Sequence, residues 1–224
     1  MQRDKAMIKG LIFDMDGLLI DTEQLSYKAL VRDCKERGFE LTMEQFLSIR
    51  SLSIPKCEEK FKGYFGEDFD FTDSFEKHFL YMREHIDKYG VPMKKGADTI
   101  LKYASEKGLR IALATSTPLD IAEEYLSSLG LWEYFHEVQS AADIKNGKPA
   151  PDVYLAAAKL LGLPPSECMA FEDSPNGVRS ASSAGCITVM VPDLSRADEE
   201  LEALIYREID DLSEAIGLIE EYRE

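Results

Sequence analysis

Ile8-Lys9-Gly10-Leu11-Ile12-Phe13-Asp14-Met15-Asp16-Gly17-Leu18-Leu19-Ile20-Asp21-Thr22 is the stretch that decides the fold of this chain. Leu11, Ile12 and Phe13 form a short apolar run, the pattern of a strand buried on both faces of a parallel sheet. The run stops at two carboxylates, Asp14 and Asp16, that flank one residue. In extended backbone, side chains two apart point the same way. In open α/β sheets, ligands gather beyond the carboxyl ends of the strands. Two carboxylates aimed into one crevice repel each other, so the pair either raises one pKa or recruits a metal. Asp-x-Asp-Gly also occurs as an ordinary polar loop after a strand, and the rest of the chain has to separate the two readings. An EF-hand is excluded, because Gly17 stands fourth from Asp14 where that loop needs its glycine sixth.

Beyond this stretch, residues 22–89 read as helices. Thr22 is a candidate cap for 22–38, which Gly38 ends, and Thr42 with Glu44 opens 42–50. Ser51 to Pro55 is a break, and 56–65 and 72–89 follow as helices. After a linker at Gly90 to Gly96 the pattern alternates. Strands are expected at 109–115, 137–140, 168–172 and 187–191, and helices at 97–107, 118–129, 151–161 and 175–184. Two weakly amphipathic helices, 195–205 and 211–222, close the chain around a short strand at 206–209. This alternation predicts an α/β fold with a Rossmann-like parallel sheet. The sheet domain comprises 1–19 and 90–224, and an all-helical segment, 20–89, interrupts it after its first strand. Insertion at that edge places the helices over the crevice as a cap, hinged near 17–21 and 88–95.

Composition narrows the function. The 224 residues carry a formal charge of −16, which argues against nucleic acid and against an anionic membrane surface. No stretch reaches the roughly 20 apolar residues of a membrane span, and the charged start (Arg3, Asp4, Lys5) is not followed by a secretory apolar region. Cys34, Cys57, Cys168 and Cys186 form no C-x-x-C pair, so a reducing cytoplasm without disulfides is expected. His78, His85 and His136 lack metal-ligand spacing, and His78 and His85 read as surface residues of a charged helix. Nothing signals an oligomer, and a monomer is the default.

Three further strand ends carry candidate chemistry. Ala114-Thr115-Ser116-Thr117 offers a hydroxyl and backbone N–H groups where a strand meets a helix, suited to phosphate oxygens, while Thr117 is also placed to cap the helix from Pro118. Lys145-Asn146-Gly147-Lys148-Pro149-Ala150-Pro151-Asp152 holds Lys148 in a stiff turn. Turn lysines are usually solvated, but a stiff turn also suits a cation fixed among anions. Ala170-Phe171-Glu172-Asp173-Ser174-Pro175-Asn176-Gly177 ends a strand in two acids, with Asp173 or Ser174 as candidate helix caps and Asp173 as a candidate Mg²⁺ ligand beside Asp14.

In order and context these four motifs resemble the haloacid dehalogenase-like (HAD) superfamily of phosphotransferases, over essentially the whole chain. The helical insertion is similar to the C1 cap of subfamily I. Glu172-Asp173 and Gly-Lys-Pro-x-Pro-Asp are similar to the branch of β-phosphoglucomutase and small sugar-phosphate phosphatases. The resemblance implies a Mg²⁺-dependent phosphatase acting on a small phosphorylated metabolite, a sugar phosphate first among them. It implies Asp14 as nucleophile forming an aspartyl-phosphate, and Asp16 as general acid and then base. The metal would be held by Asp14, the Asp16 carbonyl and Asp173, with Glu172 a ligand or one step behind. Phosphate contacts would come from Asp14, Asp16, Gly17, Thr115, Ser116 and Lys148, with Arg50 a candidate from the cap.

Asp16 argues against a dehalogenase, since halide leaves without a proton. None of the cap lysines has the apolar setting that a phosphonatase would need. A β-phosphoglucomutase-like mutase carries a histidine at the place of Ser26 and an arginine where Ile54 stands, so a phosphatase is favoured, although Arg50 could compensate. A non-catalytic binding module is the remote alternative, and it would have lost a charged motif residue. Arg50, Lys56 and Tyr27 are candidate substrate contacts, each of which reads more readily as plain surface.

Overall fold

The computed structural model describes residues 7–50, 52 and 54–222. Six parallel strands form one sheet in the order β3-β2-β1-β4-β5-β6: β1 (Gly10–Phe13), β2 (Arg110–Thr115), β3 (Glu137–Ser140), β4 (Cys168–Glu172), β5 (Ile187–Met190) and β6 (Arg207–Glu208). The helices are α1 (Glu23–Glu36), α2 (Met43–Ile49), α3 (Ile54–Phe65), α4 (Phe71–Tyr89), α5 (Ala97–Glu106), α6 (Leu119–Ser128), α7 (Asp152–Leu160), α8 (Pro175–Ala184), α9 (Glu199–Glu202) and α10 (Ala215–Glu221). The apolar run of β1 is central and fully buried, with neighbours on both edges and helices on both faces.

Alternate residues feed the two faces. Leu11, Phe13, Ile111, Leu113 and Phe171 join a core with α5, α6 and α10, whereas Ile12, Ala112, Ala114 and Ala170 pack on α7 and α8. The alanines of α7, Ala157 and Ala158, let that helix approach the sheet closely. Phe13 and Phe171 stack across adjacent strands with centroids 5.0 Å apart. Strand order reverses direction beside β1, so the C-terminal ends of β1, β2 and β4 open on the switch-point crevice of a doubly wound sheet.

The inserted helices α1 to α4 enclose an apolar cluster of their own, including Phe46, Phe61, Phe69 and Phe71. Their two connections to the sheet run side by side: the Asp21 N–H donates to the Pro92 carbonyl at 2.8 Å and the Lys94 N–H to the Leu19 carbonyl at 3.0 Å. Thr42 and Gln45 form a reciprocal capping box at α2, so Gln45, not Glu44, completes that start. Among the described residues no helix is long and apolar enough to cross a membrane.

The main departure from the expected elements lies in the tail. The helix expected over 195–205 is a single turn, α9. Arg196 pairs with Glu208 and Asp210, and the Ala197 N–H donates to Glu208, so the residues before Asp198 are held against the sheet edge and the helix starts only where Asp198 caps it.

Candidate active site

Sheet register chooses the neighbours of Asp14. Phe13 lies between Leu113 and Phe171, so one residue further Asp14 emerges between β2 and β4, its N–H donating to the Phe171 carbonyl at 3.1 Å. Lys148 reaches the same place from the turn before α7. Its Nζ donates to Asp14 Oδ1 at 2.8 Å and to Glu172 Oε1 at 2.6 Å. The Tyr154 hydroxyl donates to the same Glu172 oxygen at 2.6 Å. Lys148 is therefore fully buried, not a solvated turn residue. Burial opposes its charge, yet the two carboxylates outweigh burial and hold the ammonium above the ordinary lysine range. Burial pushes the Asp14 carboxyl up to about 7, with Glu172 adding repulsion and Lys148 pulling it back.

Asp173 follows Glu172 and is also buried, which drives its carboxyl well above the carboxylate range while Arg50 opposes the shift. Ser174, not Asp173, caps α8, its Oγ accepting from the Gly177 N–H at 3.1 Å. That leaves Asp173 facing the crevice. Oxygens of Asp14, Glu172 and Asp173 lie within 4.8 Å of one another. Both Glu172 oxygens have protein donors, Oε2 accepting from the Asp173 N–H at 3.2 Å and the Ser174 hydroxyl at 3.3 Å. Asp173 Oδ1 is buried and has no hydrogen-bond partner. Three carboxylates this close together, one of them with an orphaned oxygen, fit a divalent cation.

Two glycines are fixed by these acids. Gly17 has φ +81°, and a Cβ there would fall 2.1 Å from Asp173 Oδ2; a Cβ on Gly177 would fall 1.9 Å from Glu172 Cδ.

Asp16 is held by two hydroxyls, Thr22 Oγ1 to Oδ1 and Thr117 Oγ1 to Oδ2, each at 2.6 Å. This corrects the reading of both threonines as helix caps: neither α1 nor α6 has a side-chain cap bond, and α6 begins at Leu119. Asp16 takes both hydroxyls from the helix ends. Thr115 is buried, and its Oγ1 accepts from the Thr117 N–H at 3.0 Å, folding the loop so that Thr117 meets Asp16. Ser116 lines the cavity beside Asp14 and Asp16.

The cavity itself, about 170 Å³, runs from these acids up between the inserted helices. Arg50 is not plain surface. It is buried, paired with Asp173 across the crevice, with Nε 3.1 Å from Glu23 Oε2 and Nη2 3.9 Å from Asp193 Oδ2. Its guanidinium thus contacts an acid of the Asp14, Glu172 and Asp173 cluster through Nη2. His78 is not a surface residue either. It is buried, with Nε2 2.8 Å from the Ser26 hydroxyl, and burial pushes its pKa down to about 4. The signal was present in the sequence, since Phe71, Phe75, His78 and Met82 follow one helical stripe. Lys56 is exposed, and Tyr27 packs on Phe46 with centroids 5.1 Å apart. Of the loop read from Arg50 to Pro55, Ser51 and Ser53 lie outside the described residues, as do Arg3, Asp4 and Lys5. Sequence reasoning missed Tyr154, which stands out only as an aromatic residue in an alanine-rich helix.

A sequence model of the family described as haloacid dehalogenase-like hydrolase matches residues 11–191. The phosphorylated carbohydrates phosphatase of Thermotoga maritima is 34% identical over 181 residues, covering 80% of this chain and 82% of that one. Hexitol phosphatase A of Escherichia coli (strain K12) is 31% identical over 206 residues, covering 88% of this chain and 91% of that one. Among solved structures, β-phosphoglucomutase of Clostridium difficile aligns with a TM-score of 0.83 at 23% identity over 97% of each chain, a likeness of fold. The chain belongs to the haloacid dehalogenase-like hydrolase family, in its phosphatase branch.

Proposed function

We propose that the chain is a Mg²⁺-dependent phosphomonoester hydrolase acting on a small phosphorylated metabolite through an aspartyl-phosphate on Asp14. The observation that carries this is the buried pairing of Asp14 with Lys148, beside an Asp16 clamped by two hydroxyls. Lys148 holds Asp14 Oδ1, which leaves Oδ2 to attack phosphorus. As the phosphorus–alcohol bond breaks, Asp16 gives its proton to the leaving oxygen. Asp16 then takes a proton from water, whose oxygen attacks phosphorus and breaks the bond to Asp14, releasing inorganic phosphate. Proton transfers of this kind contribute roughly 10²–10⁴-fold. Thr115, Ser116 and Gly17 line the phosphate's seat in this reading.

Asp14, Asp173 and the Asp16 carbonyl would hold Mg²⁺, with Glu172 kept one step behind by its own donors. The ion supplies charge neutralisation for an anionic nucleophile meeting an anionic phosphate. In this reading 20–89 is a cap that closes on the adjacent connections at Ile20 and Met93. The named relatives support a phosphosugar as the starting class.

The mutase reading keeps one observation in its favour: His78 brings an imidazole to the Ser26 position. Against it, Arg50 is the only cation among the described residues lining the cavity, and three carboxylates lie against its Nε and Nη2. The test is phosphate release from phosphomonoesters with Mg²⁺ or EDTA, beside a lane following β-glucose 1-phosphate to glucose 6-phosphate. Release that needs Mg²⁺ supports the phosphatase. Isomerisation outpacing release contradicts it.

A further inference from the structure

Resting on the phosphatase reading, we propose that the substrate is a phosphomonoester whose alcohol carries a planar aromatic ring, seated against Phe75 and Phe79 and oriented by His78. The cavity's two ends differ in kind. Above Asp14 and Asp16 the lining turns apolar, with Phe46, Phe61, Phe75, Phe79 and Met82 from the cap and Ile121 from the sheet domain. Phe75 and Phe79 meet edge to face at 4.8 Å, and His78 lies 5.1 Å from Phe79 and 6.3 Å from Phe75. This cluster presents ring faces and edges, the complement of another ring.

Polar partners in that half are few. Arg50 faces Glu23 through Nε and Asp173 and Asp193 through Nη2. Ser26 and His78 are bonded to each other through Nε2. Two atoms are left over: His78 Nδ1 and Arg50 Nη1 are buried and have no hydrogen-bond partner. A polyhydroxylated alcohol brings many hydroxyls, each of which loses its water on entry and needs a partner. A ring with a single polar edge needs one, and Nδ1 offers it. Burial keeps the imidazole neutral at ordinary pH, so it meets that edge as an uncharged donor or acceptor.

The experiment uses matched esters and the whole chain with Mg²⁺: uridine 5′-phosphate against ribose 5-phosphate, and benzyl phosphate against n-butyl phosphate. Acetyl phosphate, which has little to place in the cap, reports the chemical step, with Asp14→Asn as the blank. Ring contacts contribute roughly two- to tenfold each, so at least one ring-bearing ester should exceed its partner about tenfold in kcat/KM. Phe79→Ser should lower that ratio about threefold or more, mostly through KM, and His78→Asn should do the same independently. Acetyl phosphate turned over while neither ring-bearing ester exceeds its partner overturns this inference and leaves the phosphatase standing. The same holds if both variants, folded by circular dichroism, keep the wild-type ratio. Failure of acetyl phosphate above the blank overturns the phosphatase reading and this inference with it.

Discussion

On the sheet side of the cavity, Lys148 is buried between Asp14 and Glu172, and the buried Asp173 pairs with Arg50. On the cap side, Phe75, Phe79 and His78 make an aromatic wall in which His78 Nε2 is bonded to Ser26 and Nδ1 has no hydrogen-bond partner. The first region is short-range electrostatics, where each residue type is dictated by the charge beside it. The second is shape and apolar area, which many residue types satisfy about equally. On the proposed function, chemistry belongs to the strand ends and selectivity to the insertion, and the two should fail differently when disturbed.

The largest effect should come from breaking the charged side. Lys148→Met leaves Asp14 and Glu172 facing each other without a cation, and should cost about 3–5 kcal/mol of stability together with activity. Thermal or denaturant unfolding measures it. A loss below about 1 kcal/mol would show that the buried pair is not the keystone described here.

His78 sharpens the comparison through pH. Its folded pKa of about 4 lies below the ordinary 6.5, so between those values the unfolded chain binds the extra proton. The neutral ring's contribution is complete above about pH 6.5 and is lost as pH falls toward 4, a swing of about 3 kcal/mol from this group. His78→Asn should flatten that part of the stability profile relative to wild type. Parallel profiles would place the ring in solvent contact instead.

Thr117→Val tests whether Asp16 needs its clamp. Losing one hydrogen bond to a charged group is worth about 1.5 kcal/mol, so kcat should drop roughly tenfold while KM changes little. An effect confined to KM would make Thr117 a binding residue. The smallest effect is expected at the exposed pair that joins the two regions, Arg83 on α4 and Glu124 on α6, where Nη2 lies 2.7 Å from Oε2. Arg83→Ala should raise KM less than about threefold, and the difference should shrink at high salt.

The sheet and the motif acids were legible because a buried parallel strand has a composition of its own and because Asp14, Thr115, Lys148 and Asp173 each end or follow one. Other features depended on what meets in space. Thr22 and Thr117 each stand before a helix, where a cap is the local choice, and only the convergence of β1 and β2 supplies the carboxylate that takes both hydroxyls. Arg50 ends α2 in a cap whose sequence says nothing of Asp173, 123 residues away. His78 was misread because its helix carries many charges, although its place on the Phe71–Phe75–Met82 stripe pointed inward. The tail helix shortened because Glu208 and Asp210 hold Arg196 more firmly than helix propensity does.

The central claim is that Asp14 becomes phosphorylated, and an acid-quench experiment tests it most directly. The protein is mixed with Mg²⁺ and a ³²P-labelled phosphomonoester, stopped in acid within the first turnover, and digested. The account predicts label on the peptide carrying Asp14, sensitive to hydroxylamine and absent from Asp14→Asn, which should also lose turnover. Undiminished turnover by Asp14→Asn, or label retained on another residue, would contradict it.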